Sequence, residues 1–199
     1  MQPAYYENFD EIIKKIWLML NDAVTNRSSQ FRIPVFICGT QNDFDGRIVV
    51  LRKSDQDNNL IQVDSDIRSD KIKKLESNNK ASLIFYDKEE KIQVRAKVEC
   101  IVNHKNEVTE QSWLKTAHIS RKCYLVDNGP GTESDEPTSG LKPEKDNFDY
   151  TMEESEKGYE NFTVIQCKVK SFEWLYLAAK GHRRARFDLE NDKRVWLVP

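Results

Sequence analysis

The apolar positions of the chain change period several times, and each change predicts an element. Phe9, Ile12, Ile13, Ile16, Leu20 and Ala23 recur at helical spacing behind Asn8, a prospective N-cap with Glu11 three residues on. That pattern predicts an amphipathic helix over 8–24. Trp17, Leu18 and Met19 widen its apolar face, either for burial within the chain, the favoured use, or for contact with a partner chain. Beyond it the residues turn β-branched and aromatic, which predicts strands near 32–38 and 46–53 around the turn residues of 39–46.

A short strand over 60–63 follows, then a helix capped by Ser69 with Ile72 and Leu75 on its inner face. Residues 81–86 and 92–102 read as a hairpin closed by the charged run 87–91. In its second strand Ile92, Val94, Ala96, Val98, Cys100 and Val102 alternate with Gln93, Arg95, Lys97 and Glu99, so one face is core. A helix is predicted over 107–120 with Val108, Trp113, Leu114 and Ala117 as its apolar set. Strands over 161–170, 172–177 and 194–198 close the chain, the last two separated by a cationic turn. Seven or eight short strands with interspersed helices predict a mainly β (α+β) barrel-type fold rather than an alternating parallel sheet.

Length and charge narrow this picture. A chain of 199 residues suits a single domain, 1–199, with its own core. Thirty-one basic against thirty-three acidic residues give no overall field to attract nucleic acid or an anionic membrane, so an anion site has to be local. The imbalance is internal. Segment 127–160 holds eleven acids against three lysines, a net of −8, and reads as a solvated insertion, helical over 147–158, with a lid over the site as the other reading. No apolar run reaches the roughly 18 residues that span a bilayer, and no signal pattern opens the chain; a cytoplasmic protein is expected. Cys38, Cys100, Cys123 and Cys167 lie far apart without metal-ligand spacing, so reduced thiols and no metal are expected.

The candidate chemistry lies in two cationic places. Arg47-Ile48-Val49-Val50-Leu51-Arg52 is an aliphatic run between two guanidinium groups, and Ser65, Arg68, Ser69 and Lys71 gather at a turn that opens a helix. Arg47, Arg68 and Lys71 are the candidates to grip a phosphate, with Ser65 and Ser69 as added donors and the helix start favouring an anion. Lys180-Gly181-His182-Arg183-Arg184-Ala185-Arg186 is the second cluster, readable as a basic turn or as a wall for an anionic ligand with His182 or Arg184 near a reactive group. Neither a nucleophile with its base nor a carboxylate pair can be argued from spacing, so the catalytic residues stay unknown. Sites for an anionic aromatic ligand without such a set suggest that a cofactor carries the chemistry, and flavin mononucleotide (FMN) matches.

With those residues in place the sequence resembles the pyridoxamine 5′-phosphate oxidase-like flavoproteins. The matching pieces are 47–52, 65–71, 92–95 and 181–186 before the terminal Trp196-Leu197-Val198-Pro199. The resemblance implies an FMN-binding split β-barrel with flanking helices, homodimeric, with the flavin between subunits. It implies that Arg47 and Lys71 hold the phosphate, that Ser65 and Ser69 serve the phosphate loop, and that Gln93, Tyr176 and Arg186 line the flavin. Arg52, Trp113, His182 and Arg184 become the substrate-binding candidates. The departures are specific: Trp113 stands where the substrate-binding tyrosine is expected, alanine replaces the arginine after it, and the C-terminal arginine and histidine are reordered. The chain thus reads as a relative of the true oxidases, an oxidoreductase acting on a small anionic substrate. The alternative is an FMN-binding sensor or carrier without turnover; a small-barrel nucleic-acid binder fits the charge balance poorly, and neither nucleic acid nor membrane is an expected partner.

Overall fold

The longest strand organises the molecule. In the computed structural model, which describes residues 4–40, 42–141 and 150–199, a strand over Phe162–Tyr176 (β7) pairs along its whole length with Ile92–Asn103 (β6). On its other side its first half pairs with Leu60–Asp66 (β4) and its second half with Arg183–Asp188 (β8). The change of partner coincides with a bulge: Lys97 faces Ser171 while the adjacent Val98 faces Val169, leaving Lys170 as the extra residue. The two strands predicted around residue 171 are therefore one bent strand. Its bend is what splits the barrel.

The remaining strands extend this frame, all antiparallel. Val35–Gly39 (β1), Phe44–Ile48 (β2), Leu51–Asp55 (β3), Lys80–Asp87 (β5) and Lys193–Leu197 (β9) bring the described strands to nine, in the order β2-β1-β5-β6-β7-β4-β3 with β8 and β9 branching from β7. The run predicted as one strand over 46–53 breaks at Val49-Val50 into β2 and β3. The cationic turn becomes β8, because Ala185 and Phe187 alternate inward between the arginines.

Helix Phe9–Thr25 (α1) packs on β3 and begins as predicted, with the Asn8 side chain accepting from the amides of Asp10 and Glu11. Arg32 closes its other end by donating to the carbonyls of Ala23 and Val24. Of the wide apolar face, Trp17 is buried edge-on to Phe172 whereas Leu18 is exposed. Helix Asp70–Ser77 (α2) buries Ile72 and Leu75 against the barrel.

The helix predicted over 107–120 stops at Lys115 and resumes at His118–Arg121, giving α3 (Glu107–Lys115) and α4. Leu114 and Ala117 face solvent, so of the expected apolar set Trp113 alone is buried. The predicted helix over 147–158 is shorter, Met152–Glu156 (α5) followed by a 3-10 turn, and its first three positions lie outside the described residues. Trp113, Tyr124, Phe162 and Val164 form a second, small core between this outer layer and the β4–β7 side of the barrel.

Candidate functional site

The loop from β4 into α2 carries the first candidate cluster. Ser65 and Ser69 are buried with hydroxyl oxygens 3.2 Å apart, and the ammonium of Lys71, the second residue of α2, donates to both at 2.7 and 3.2 Å. Among the described residues no carboxylate lies within ion-pair distance of Lys71. Burial and the nearby Arg47 guanidinium both press its pKa below the usual lysine value. A half-buried ammonium held only by hydroxyls beside a second cation lacks a counter-anion, and a phosphate supplies one. The residues present thus fit the phosphate of FMN.

Nearby carboxylates are held apart from Lys71. Lys74, buried one turn further along α2, takes Asp43 at 2.8 Å, Asp70 at 2.9 Å and Asp45 at 3.9 Å. Arg47 is ion-paired to Asp45 on its own strand. It lies opposite Phe36, in the row that continues through Leu83 and Ala96 to Phe172, and so on the core face at the edge of the sheet. In the run that follows, Ile48 is exposed, Val49 and Leu51 are buried and Val50 is intermediate. Arg52 sits in a bulge of the β3–β4 pairing, and the break at Val49-Val50 puts it on a different strand from Arg47.

Two expected ligand residues have other partners. Arg68 spends four of its five N–H donors on the Asp66 carboxylate at 3.0 and 2.7 Å and on the carbonyls of Val126 and Asp127, so its bidentate fork is taken by a carboxylate within the loop. Arg52 places Nε 3.2 Å from the buried Asp64 carboxylate. Burial raises the Asp64 pKa to about 6 despite the opposing charge of Arg52, and one of its oxygens has no hydrogen-bond partner.

The C-terminal candidates gather on the other face of the sheet. Gln93 faces Leu175, which faces Arg184; the next row outward is Arg95, Glu173 and Arg186. These side chains share one face of β6-β7-β8. Glu173 accepts from Arg184 Nε at 2.9 Å and from Arg95; burial would raise its pKa, but the two arginines outweigh that and hold it low. Tyr176 belongs to the opposite face. It is buried, with its ring 4.0 Å from that of Tyr6. His182 lines a cleft of about 570 Å³ with Glu7, Arg183, Arg184 and Trp196.

Trp113 is buried in the second core, donates from Nε1 to Glu156 at 2.8 Å and lies under the Arg121 guanidinium at 4.5 Å. Sequence reasoning missed the acids that occupy these arginines. The Asp70–Lys74 spacing was a readable signal for one pair; Glu173 carried none, because its partners come from neighbouring strands.

Residues 15–104 match the family model described as "Pyridoxamine 5'-phosphate oxidase, FMN-binding domain". The chain is similar to that FMN-binding family. FMN is the cofactor of this domain, whose matched stretch spans β1 to β6 and includes Arg47, Ser65, Ser69, Lys71 and Gln93. Solved structures agree in fold. A pyridoxamine 5′-phosphate oxidase-related, FMN-binding protein from Nostoc punctiforme is 14% identical with a TM-score of 0.70, covering 100% of both chains. PhzG from Burkholderia lata is 16% identical with a TM-score of 0.71, over 100% of this chain and 98% of that one. A protein related to general stress protein 26 from Clostridium acetobutylicum is 12% identical with a TM-score of 0.56, over 90% and 99%. No curated protein matches the sequence.

Proposed function

We propose that this chain is a cytoplasmic FMN-dependent oxidoreductase for a small anionic substrate, active as a homodimer with each FMN between two protomers. The observation that carries the cofactor placement is the Lys71 ammonium, bonded to two buried hydroxyls and neighboured by Arg47 without a carboxylate of its own. In this reading Arg47, Lys71, Ser65 and Ser69 bind the phosphate. The 48–51 run flanks the flavin, and Gln93 and Arg186 line its ring. FMN, when bound, supplies a ring that accepts and returns a hydride.

The dimer is supported by the geometry of the two half-sites. Arg47 lies on the core face of β2, while Gln93, Arg184 and Arg186 lie on the opposite face of β6 and β8. Five strand steps separate β2 from β8, about 24 Å measured along the sheet at ~4.8 Å per step. That separation, together with the opposite facing of the two groups, supports a flavin shared between two copies of the chain.

For the substrate, His182 at the 570 Å³ cleft is the candidate best placed to meet it, and Arg184 joins it there once Glu173 is shared. Four unpaired cysteines among the described residues support a reducing compartment. One observation favours the second reading, an FMN carrier or sensor without turnover. All four expected substrate contacts, Arg52, Trp113, His182 and Arg184, already have partners within the chain. Anaerobic mixing of the FMN-loaded protein with reduced nicotinamide and a panel of anionic reductants separates the two. Bleaching of the flavin band supports the oxidoreductase, and a band that stays oxidised throughout supports the carrier.

A further inference from the structure

The acidic insertion is built onto the phosphate loop from both of its ends. At its start, Arg68 Nη1 donates to the carbonyls of Val126 at 3.0 Å and Asp127 at 3.1 Å, and Gly129 lies directly against the Arg68 side chain. At its finish, the Ile67 amide donates to the Asn161 carbonyl at 2.9 Å, and the Asn161 side chain returns to the Tyr124 carbonyl at 2.8 Å. The base is closed by the Asp127 amide on the Gly140 carbonyl at 3.3 Å. Ile67 and Arg68 lie between Ser65 and Ser69. The loop that carries the two hydroxyls and leads to Lys71 is therefore bonded to the base of the insertion and to the residues that flank it.

Within the loop Arg68 is the joint. Its fork grips Asp66 with two donors, its backbone amide donates to the same carboxylate at 2.8 Å, and its remaining N–H bonds reach the insertion. A guanidinium satisfied on two sides fixes both in one arrangement. Phosphate selectivity depends on Ser65, Ser69 and Lys71 being held in place before the ligand arrives, because ordering them afterwards is subtracted from affinity.

We propose that Arg68 is a positioning residue: it does not touch the phosphate but couples the base of the 127–160 insertion to the loop that binds it. The base of the insertion then sets FMN affinity, and bound FMN in turn favours the arrangement of that base around Arg68, since such coupling is reciprocal. This rests on the phosphate reading of Ser65, Ser69 and Lys71.

The test uses full-length variants titrated with FMN and with riboflavin. Arg68→Ala removes the joint. Gly129→Val leaves the loop sequence intact but drives a branched side chain into space where an added Cβ already meets Arg68 Cβ at 3.0 Å. Each should weaken FMN about tenfold and riboflavin less than about threefold, and the double variant should be no worse than either alone. Loss in Arg68→Ala without loss in Gly129→Val, or multiplying losses, would show Arg68 acting on the phosphate itself and overturn the coupling. Unchanged FMN binding in both variants, with the parent still preferring FMN to riboflavin, would overturn it too. A parent without that preference would instead remove the phosphate reading beneath it.

Discussion

The Lys71 ammonium sits 2.7 Å from the Ser65 hydroxyl, six residues back across the turn from β4 into α2. With Ser69 it forms a three-point cradle beside the cation Arg47, and the nearby Asp66 carboxylate is taken by Arg68. An acid near a lysine is the common arrangement, and the acids that could have served here are gathered by Lys74 instead. The cradle is thereby left for an anion from outside the chain.

Two half-sites on opposite faces predict complementation. Mixing Lys71→Met protein, which keeps the ring-lining half, with Arg186→Ala protein, which keeps the cradle, should restore about one quarter of the parent FMN capacity after subunit exchange. Each mixed dimer then holds one intact and one doubly defective site. Capacity that stays at the level of the unmixed variants would place all the contacts in one chain.

Asp64 predicts a pH dependence of stability. Its folded pKa, raised to about 6 by burial, exceeds the ordinary aspartate value, so the native state binds the proton more tightly than the unfolded chain. The contribution is complete below about pH 4 and is lost as pH rises through about 6, a swing of about 3 kcal/mol. Many other carboxylates titrate nearby, so the measure is the difference between parent and Asp64→Asn in urea unfolding from pH 4 to 7.5. The parent should lose stability relative to the variant as pH rises; a flat difference contradicts the assignment.

Trp113 predicts a structural phenotype. Trp113→Ala should cost roughly 3–5 kcal/mol by opening the second core and unseating Arg121 and Glu156. Any loss of FMN affinity in the folded fraction should come through the insertion, because Trp113 bonds Glu156 there. A stable variant with altered substrate kinetics would return Trp113 to the substrate site.

Much of this was legible in the sequence, for identifiable reasons. The α1 start, the α2 inner face and the β5–β6 hairpin follow local rules of capping and alternation, and they hold. The predicted break near residue 171 marked a real irregularity, but a bulge and a break look alike when the partners β4 and β8 are unseen. Val49-Val50 misled in the opposite direction, because a continuous β-branched run conceals a corner between β2 and β3. In the site, the local cluster was legible: Ser65, Ser69 and Lys71 come together as their spacing suggests. Partners supplied by a distant segment were not, as at Arg68, bonded to the base of the insertion, and at Trp113, bonded to α5.

The central claim is that Arg47 and Lys71 bind the FMN phosphate, and the most direct measurement compares FMN with riboflavin on three proteins. Flavin fluorescence quenching gives dissociation constants for the parent, Arg47→Ala and Lys71→Met. FMN should weaken by at least about tenfold in each variant, as expected for loss of a charge-assisted bond, while riboflavin moves by less than about threefold. Equal losses for both ligands, or none for FMN, would contradict the account.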